Sequence, residues 1–222
     1  MSVADNLASV RSTLPEGVEL VAISKYHPKE MIEEAYAAGQ RLFGENHILE
    51  MAAKADVLPK DIRWHFTGHV QTNKIKYMAS FVDTVQSVDS LRLLRELDKH
   101  AARHDRVIKC LLQLHVAQEE TKFGLTPDEC LSLLRSGEWR ELHHVSIDGL
   151  MAMASNTPDV EQVRREFRLV RQFFLSVKEE FFADAPHFRI LSEGMTQDYP
   201  IAVAEGANMV RVGSAIFGER SY

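Results

Sequence analysis

Val18-Glu19-Leu20-Val21-Ala22-Ile23-Ser24-Lys25-Tyr26-His27-Pro28 is the stretch on which the reading of this chain turns. Val18 to Ile23 is short, branched and apolar, interrupted only by Glu19, and reads as a buried strand. Pro28 suits the first turn of a helix, and Met31-Ile32-Glu33-Glu34-Ala35 continues one. Lys25 therefore stands where a strand hands over to a helix. In α/β folds that carboxyl edge is where ligands bind. Taken alone, Lys25 also reads as a solvated loop lysine, the commoner fate of that residue. The sharper reading is an amine in a partly dry mouth, able to bond an aldehyde as a Schiff base.

The same handover recurs along the chain. A short leading helix near residues 2–13 ends at Leu14-Pro15-Glu16-Gly17. After the first unit, Arg41-Leu42-Phe43-Gly44 is a second strand, and Glu45-Asn46 opens a helix to about Ala55. Trp64-His65-Phe66-Thr67-Gly68 is a third strand, with Gln71-Thr72-Asn73-Lys74 entering a helix. Val82 to Val88 is a fourth strand, followed by a helix over Leu91 to Ala102 capped by Asp89 or Ser90. Val107 to Val116 is the longest strand-like run; a Thr121-Lys122-Phe123-Gly124 loop and a helix from Thr126-Pro127 follow. His144 to Met151 is a sixth strand, and a long amphipathic helix opens at Thr157-Pro158 and runs to about Phe182. Phe188 to Leu191 and Met209 to Val212 are strands seven and eight, with Tyr199 to Ala204 helical between them and Gly213 to Phe217 a last short turn.

Eight alternating units with short connections predict a single α/β domain over residues 1–222. Its expected form is a (β/α)8 TIM barrel with an extra N-terminal helix. An open doubly wound sheet is the runner-up, but the first turn carries no G-x-G-x-x-G.

Composition bounds the function. Of 222 residues 45% are hydrophobic and 26% charged, as in globular proteins with a full core. A formal net charge of -6 gives no basic footprint for nucleic acid. The N-terminus lacks a basic region before an apolar run, and no apolar run is long enough to span a membrane. Cys110 and Cys130 read as reduced core residues of a cytoplasmic protein. Metal chemistry is not expected: His100 and His104 lack a third ligand nearby, His143-His144 point to opposite faces, and His65 and His69 straddle a strand exit.

In a closed barrel the strand exits converge. Lys25, Glu45-Asn46, Thr67-Gly68, Ser192-Glu193-Gly194 and Gly213-Ser214 then share one rim. Barrels often hold phosphate in the loops after strands seven and eight. Ser192 and Gly213-Ser214 supply the glycine, the hydroxyls and the start of a helix that such a cradle uses. Gly-Ser before a helix is also an ordinary cap. Arg211, two residues before Gly213, shares its facing and needs an acceptor. That acceptor is either a neutral pyridine nitrogen or a carboxylate such as Glu193 or Glu205. An amine, a phosphate cradle and a cation for a ring nitrogen together describe pyridoxal 5′-phosphate.

On these residues the chain resembles the pyridoxal phosphate homeostasis protein family. The matching segments are Val21-Ala22-Ile23-Ser24-Lys25, Phe43-Gly44-Glu45-Asn46, Trp64 to Lys74, Gly149-Leu150-Met151 and Met209 to Gly218, and they extend over nearly the whole chain. The resemblance implies a barrel like the N-terminal domain of alanine racemase. It implies Lys25 as the Schiff-base lysine, and Ser192, Gly213 and Ser214 as phosphate contacts. It further implies Arg211 as the partner of the pyridine nitrogen and Asn46 beside the cofactor. One segment departs: where the family usually reads Leu-Ser-Met-Gly-Met-Ser-x-Asp, this chain has Leu191-Ser192-Glu193-Gly194-Met195-Thr196-Gln197-Asp198.

The expected activity is carriage of the cofactor, buffering it or delivering it to apo-enzymes that depend on it, without robust catalysis. An arginine partner leaves the ring nitrogen unprotonated and the electron sink weak. Racemases of similar fold add a tyrosine from a C-terminal β-domain and a partner subunit, whereas this sequence stops at Tyr222. A monomer is expected. Two other classes remain open: a slow racemase-like enzyme using Tyr26 or His65 as proton carrier, and a Lys25 Schiff-base aldolase without bound cofactor.

Overall fold

The computed structural model describes residues 2–116 and 123–219; Thr121, Lys122 and Tyr222, named above, lie outside them. A leading helix α1 (Val3–Ser12) precedes β1 (Glu19–Ile23), α2 (Lys29–Ala37), β2 (Leu42–Glu45), α3 (Ile48–Val57) and β3 (Arg63–Phe66). Then come β4 (Thr84–Val88), α4 (Leu91–Ala102), β5 (Ile108–Leu114), α5 (Pro127–Ser136), β6 (Val145–Ala152) and α6 (Val160–Phe181). The chain closes with β7 (Ile190–Ser192), α7 (Tyr199–Ala204), β8 (Met209–Val212) and α8 (Ser214–Phe217). The eight strands form a closed parallel barrel in chain order. Closure comes from β8 pairing with β1, Glu19 opposite Met209 through Ala22 opposite Val212.

Side chains alternate across each strand, so every strand divides its residues between two cores. Leu20, Ala22, Phe43, Trp64, Phe66, Val210 and Val212 face the helices and join the main core. Val21, Leu42 and Met209 face the barrel interior, with Ile23 and Ile190 packed on them. That parity places Arg211 and Ser192 inside the barrel. Glu45 and Glu193 face outward, against the helices.

Two local readings are corrected. Glu45 does not open a helix: it is the last residue of β2, paired opposite Phe66, and α3 begins three residues later at Ile48. The segment after the third strand is a 3₁₀ turn over Thr72–Tyr77. Its bonds, such as Met78 N–H to Ile75 C=O at 3.0 Å, span three residues instead of four. The Ser90 cap is borne out, its hydroxyl accepting from Leu93 N–H at 3.2 Å. Among the described residues no helix is long and apolar enough to cross a membrane, and no group of three metal-ligating side chains occurs.

Candidate cofactor site at the carboxyl rim

A cavity of about 690 Å³ opens at the carboxyl ends of the strands. Lys25, Asn46, Arg211, Gly213 and Ser214 all line it, as do Thr196 and Asp198. Residues from the first, second and eighth strand exits thus meet in one space, of a size that takes a small phosphorylated ligand.

Lys25 is half-buried and sits in a turn built with care. On one side Ser24 is fully buried, and its hydroxyl donates to Glu45 Oε1 at 2.7 Å. On the other side Tyr26 has φ of 67°, left-handed backbone that an aromatic residue rarely adopts. The Tyr26 N–H donates to Glu50 Oε1 at 2.7 Å, and its hydroxyl is 2.8 Å from His47 Nε2. Asn46 is fixed by Thr67, whose hydroxyl donates to Asn46 Oδ1 at 2.8 Å. Gly68 lies against the Asn46 backbone so closely that any Cβ would collide with it.

Arg211 is 4% exposed and held from below. Its Nη1 donates to the Ser192 carbonyl at 2.8 Å and to the Ser192 hydroxyl at 2.7 Å, and its Nη2 donates to the Ala152 carbonyl at 2.9 Å. The Ser192 hydroxyl in turn donates to Gln86 Oε1 at 2.7 Å, and Gln86 Nε2 lies 2.8 Å from His65 Nδ1. Burial pushes His65 down to about 4, so near neutrality it is an uncharged acceptor for the Gln86 amide. A neutral polar chain from β3 to β8 therefore sets the guanidinium while leaving it charged. Burial lowers Arg211 only to about 10, with Glu193 pulling upward.

The side of the cavity between the loop after β7 and α8 is made by backbone and hydroxyls. Gly213 N–H donates to Thr196 Oγ1 at 3.3 Å, bringing the loop after β7 onto the start of α8. Gly213 itself packs on β1: a Cβ there would sit 3.1 Å from the Ile23 carbonyl, so glycine keeps the rim closed at this point. Amine, guanidinium, amide and hydroxyl donors around one space fit a phosphorylated aldehyde with a ring nitrogen.

Four expectations come out differently in placement. Ser192 is fully buried and does not line the cavity; its hydroxyl is shared between Arg211 and Gln86. Glu205 does not meet Arg211 but binds Arg164 and Arg168 on α6, at 3.1 and 2.9 Å. Glu193 lies within ion-pair distance of neither Arg211 nor any other cation among the described residues, and neither of its oxygens has a hydrogen-bond partner. His65 and Tyr26 stand outside the cavity lining, one inside the barrel and the other 44% exposed.

Sequence reasoning missed Thr196 and the run Ser155-Asn156-Thr157 after β6, all of which line the cavity. Ser155 is tied to α6, its hydroxyl donating to Glu166 Oε1 at 2.8 Å. A run of small polar residues, separated from the end of a strand by two residues, was the available signal.

A family model described as "Alanine racemase, N-terminal domain" matches residues 1–221. The pyridoxal phosphate homeostasis protein of Aquifex aeolicus is 37% identical over 205 residues, 92% of this chain and 88% of that one. Its namesake in Escherichia coli K12 is 34% identical over 99% of this chain and 97% of its own. PipY of Synechococcus elongatus PCC7942, solved with PLP bound, is 38% identical with a TM-score of 0.85, covering 98% of this chain and all of that one. Alanine racemase of Clostridium difficile shares the fold at a TM-score of 0.81 and 14% identity, over 57% of its length. The chain belongs to the pyridoxal phosphate homeostasis protein family, on the alanine racemase N-terminal barrel.

Proposed function

We propose that this protein binds pyridoxal 5′-phosphate in the rim cavity and serves vitamin B6 homeostasis by holding the cofactor and releasing it. The observation that carries the reading is the meeting of Lys25, Arg211 and Gly213-Ser214 around a single space. The PLP-bound state of PipY, at 38% identity over nearly the full chain, points the same way.

Each residue has a part. Lys25 Nζ bonds the aldehyde carbon, the carbonyl oxygen leaving as water with the two amine protons. Arg211 donates to the ring nitrogen and keeps it from taking a proton. Ser214, the Gly213 backbone and Thr196 receive the phosphate. Asn46 packs beside the ring. Ser192 acts one step back, by aiming Arg211. The cofactor supplies an aldehyde for amines and an electron-sink ring whose power an arginine partner keeps low. Carriage follows more naturally than turnover. Recipients are apo-enzymes that need the cofactor, and the protein works as a cytoplasmic monomer.

Adding pyridoxal 5′-phosphate to the purified protein is expected to give a visible Schiff-base band. Borohydride followed by peptide mapping is expected to label Lys25. No band, or label on another lysine, overturns the assignment. Enzyme-like proton exchange at the α-carbon of amino acids overturns carriage.

A further inference from the structure

The turn that carries Lys25 is gripped from both sides by one helix. Lys54 on α3 places its Nζ 2.9 Å from the Ser24 carbonyl, 2.7 Å from Glu45 Oε1 and 2.7 Å from Glu50 Oε1. One ammonium therefore uses its three donors on the residue before Lys25 and on the two carboxylates around it. Glu50, one helical turn earlier on α3, accepts the Tyr26 N–H on the far side of Lys25. His47, the residue capping α3, meets the Tyr26 hydroxyl. Lys54 is 8% exposed and Glu45 fully buried, so these contacts are little screened by solvent.

The backbone gives a reason for such a clamp. Tyr26 stands in the left-handed region, which a bulky residue keeps only where its surroundings over-determine it. Relaxation of Tyr26 would rotate the peptide that follows Lys25 and swing its side chain away from the cavity. A solvated loop lysine has no need of a buried ion pair beneath it. An amine that must reach one carbon does, because a small displacement at the reacting atoms is costly.

We propose that Lys54, acting through Glu45 and Glu50, is a positioning residue that sets Lys25 for covalent capture of the cofactor, separately from the groups that bind its ring and phosphate. This rests on the Lys25 assignment under Proposed function, and the experiment keeps the two apart. Two ligands are compared: pyridoxal 5′-phosphate, which bonds an amine, and pyridoxine 5′-phosphate, whose alcohol cannot.

Lys54→Met keeps the length and apolar stem of the side chain without the donors. Its covalent fraction, read as the visible band and as borohydride label on Lys25, is expected to fall about tenfold. Affinity for pyridoxine 5′-phosphate, by calorimetry, is expected to stay unchanged. Glu50, more exposed than Lys54, provides a second arm if Lys54→Met does not fold. Glu50→Ala should lower the covalent fraction and Glu50→Gln, which keeps an acceptor for Tyr26 N–H, should restore it. An unchanged covalent fraction in either arm overturns the proposal. So does an equal loss for both ligands, which marks a general collapse of the pocket. Label on a different lysine in the unmodified protein instead defeats the Lys25 assignment, whatever Lys54 does.

Discussion

Two glutamates stand at the carboxyl ends of separate strands of the barrel and meet opposite surroundings. Glu45 closes β2 and Glu193 follows β7; both face the helices, and both are fully buried. Burial pushes both carboxyls above the ordinary range. At Glu45 the push is opposed at close range, by Lys54 Nζ and the Ser24 hydroxyl, each 2.7 Å from Oε1. At Glu193 the opposition comes from the charges of Arg211 and, less, Arg171, with no hydrogen bond to either carboxyl oxygen, and nearby Asp198 adds to the upward push. Burial alone thus does not tell what a charged residue does. One glutamate is a bolt in the structure beneath the lysine; the other is a buried acid without a hydrogen-bond partner, just after β7.

The difference predicts opposite signs for one kind of substitution. Glu45→Leu leaves the Lys54 ammonium under β2 with half its anionic partnership gone. Removing one member of a buried pair costs roughly 3–5 kcal/mol, and denaturant unfolding should show a loss of that order. If the loss is below about 1 kcal/mol, Glu50 alone satisfies Lys54 and the contrast with Glu193 disappears.

Glu193→Met should do the reverse and raise stability, by about 1–3 kcal/mol near neutral pH, since a buried polar group without a partner is removed. The effect has a pH signature. The folded carboxyl holds its proton above the 4.5 of an ordinary glutamate, so between the two values the folded state binds more protons than the unfolded one. Stability of the unsubstituted protein must then fall as pH rises from about 4.5 through the folded value. Glu193→Met has no such group, so the gap between the two proteins widens over that window and then levels off. A gap independent of pH would mean that Glu193 finds a partner, and that the two glutamates are not opposites.

Most of the barrel was legible because each strand is a short apolar run ending in a polar or glycine exit. Lys25, Asn46, Gly213 and Ser214 were legible as residues of the rim cavity because they are those exits. Arg211 was legible because it shares the facing of Gly213. Ser192 shows where this reading stops. As the end of strand seven it was expected on the rim, but depth is set by register between strands. Ser192 pairs with Met209, two residues below Arg211, so it lies one layer beneath the rim. Register between distant strands leaves no mark on either one. The Lys54 clamp was invisible for a related reason: a lysine in mid-helix reads as solvated surface until the strand end beneath it is known to carry a glutamate facing outward.

The inner neighbour of Glu193 offers the smallest effect and the finest distinction. Ser192→Ala removes the hydroxyl that Arg211 and Gln86 share, a net loss of about 0.5–1.5 kcal/mol for a hydrogen bond of this kind. Affinity for pyridoxal 5′-phosphate should drop about three- to tenfold as the guanidinium loosens. The family resemblance assigns Ser192 to the phosphate, whereas its position assigns it to Arg211, and hence to the ring. Pyridoxal, which has the ring and no phosphate, separates the two. A role through Arg211 predicts that pyridoxal and pyridoxal 5′-phosphate weaken by the same factor in Ser192→Ala. A direct phosphate contact predicts that only the phosphorylated ligand weakens. That outcome would require the β7 end to rise by a layer toward the rim when the ligand binds, carrying Glu193 out of its buried pocket with it.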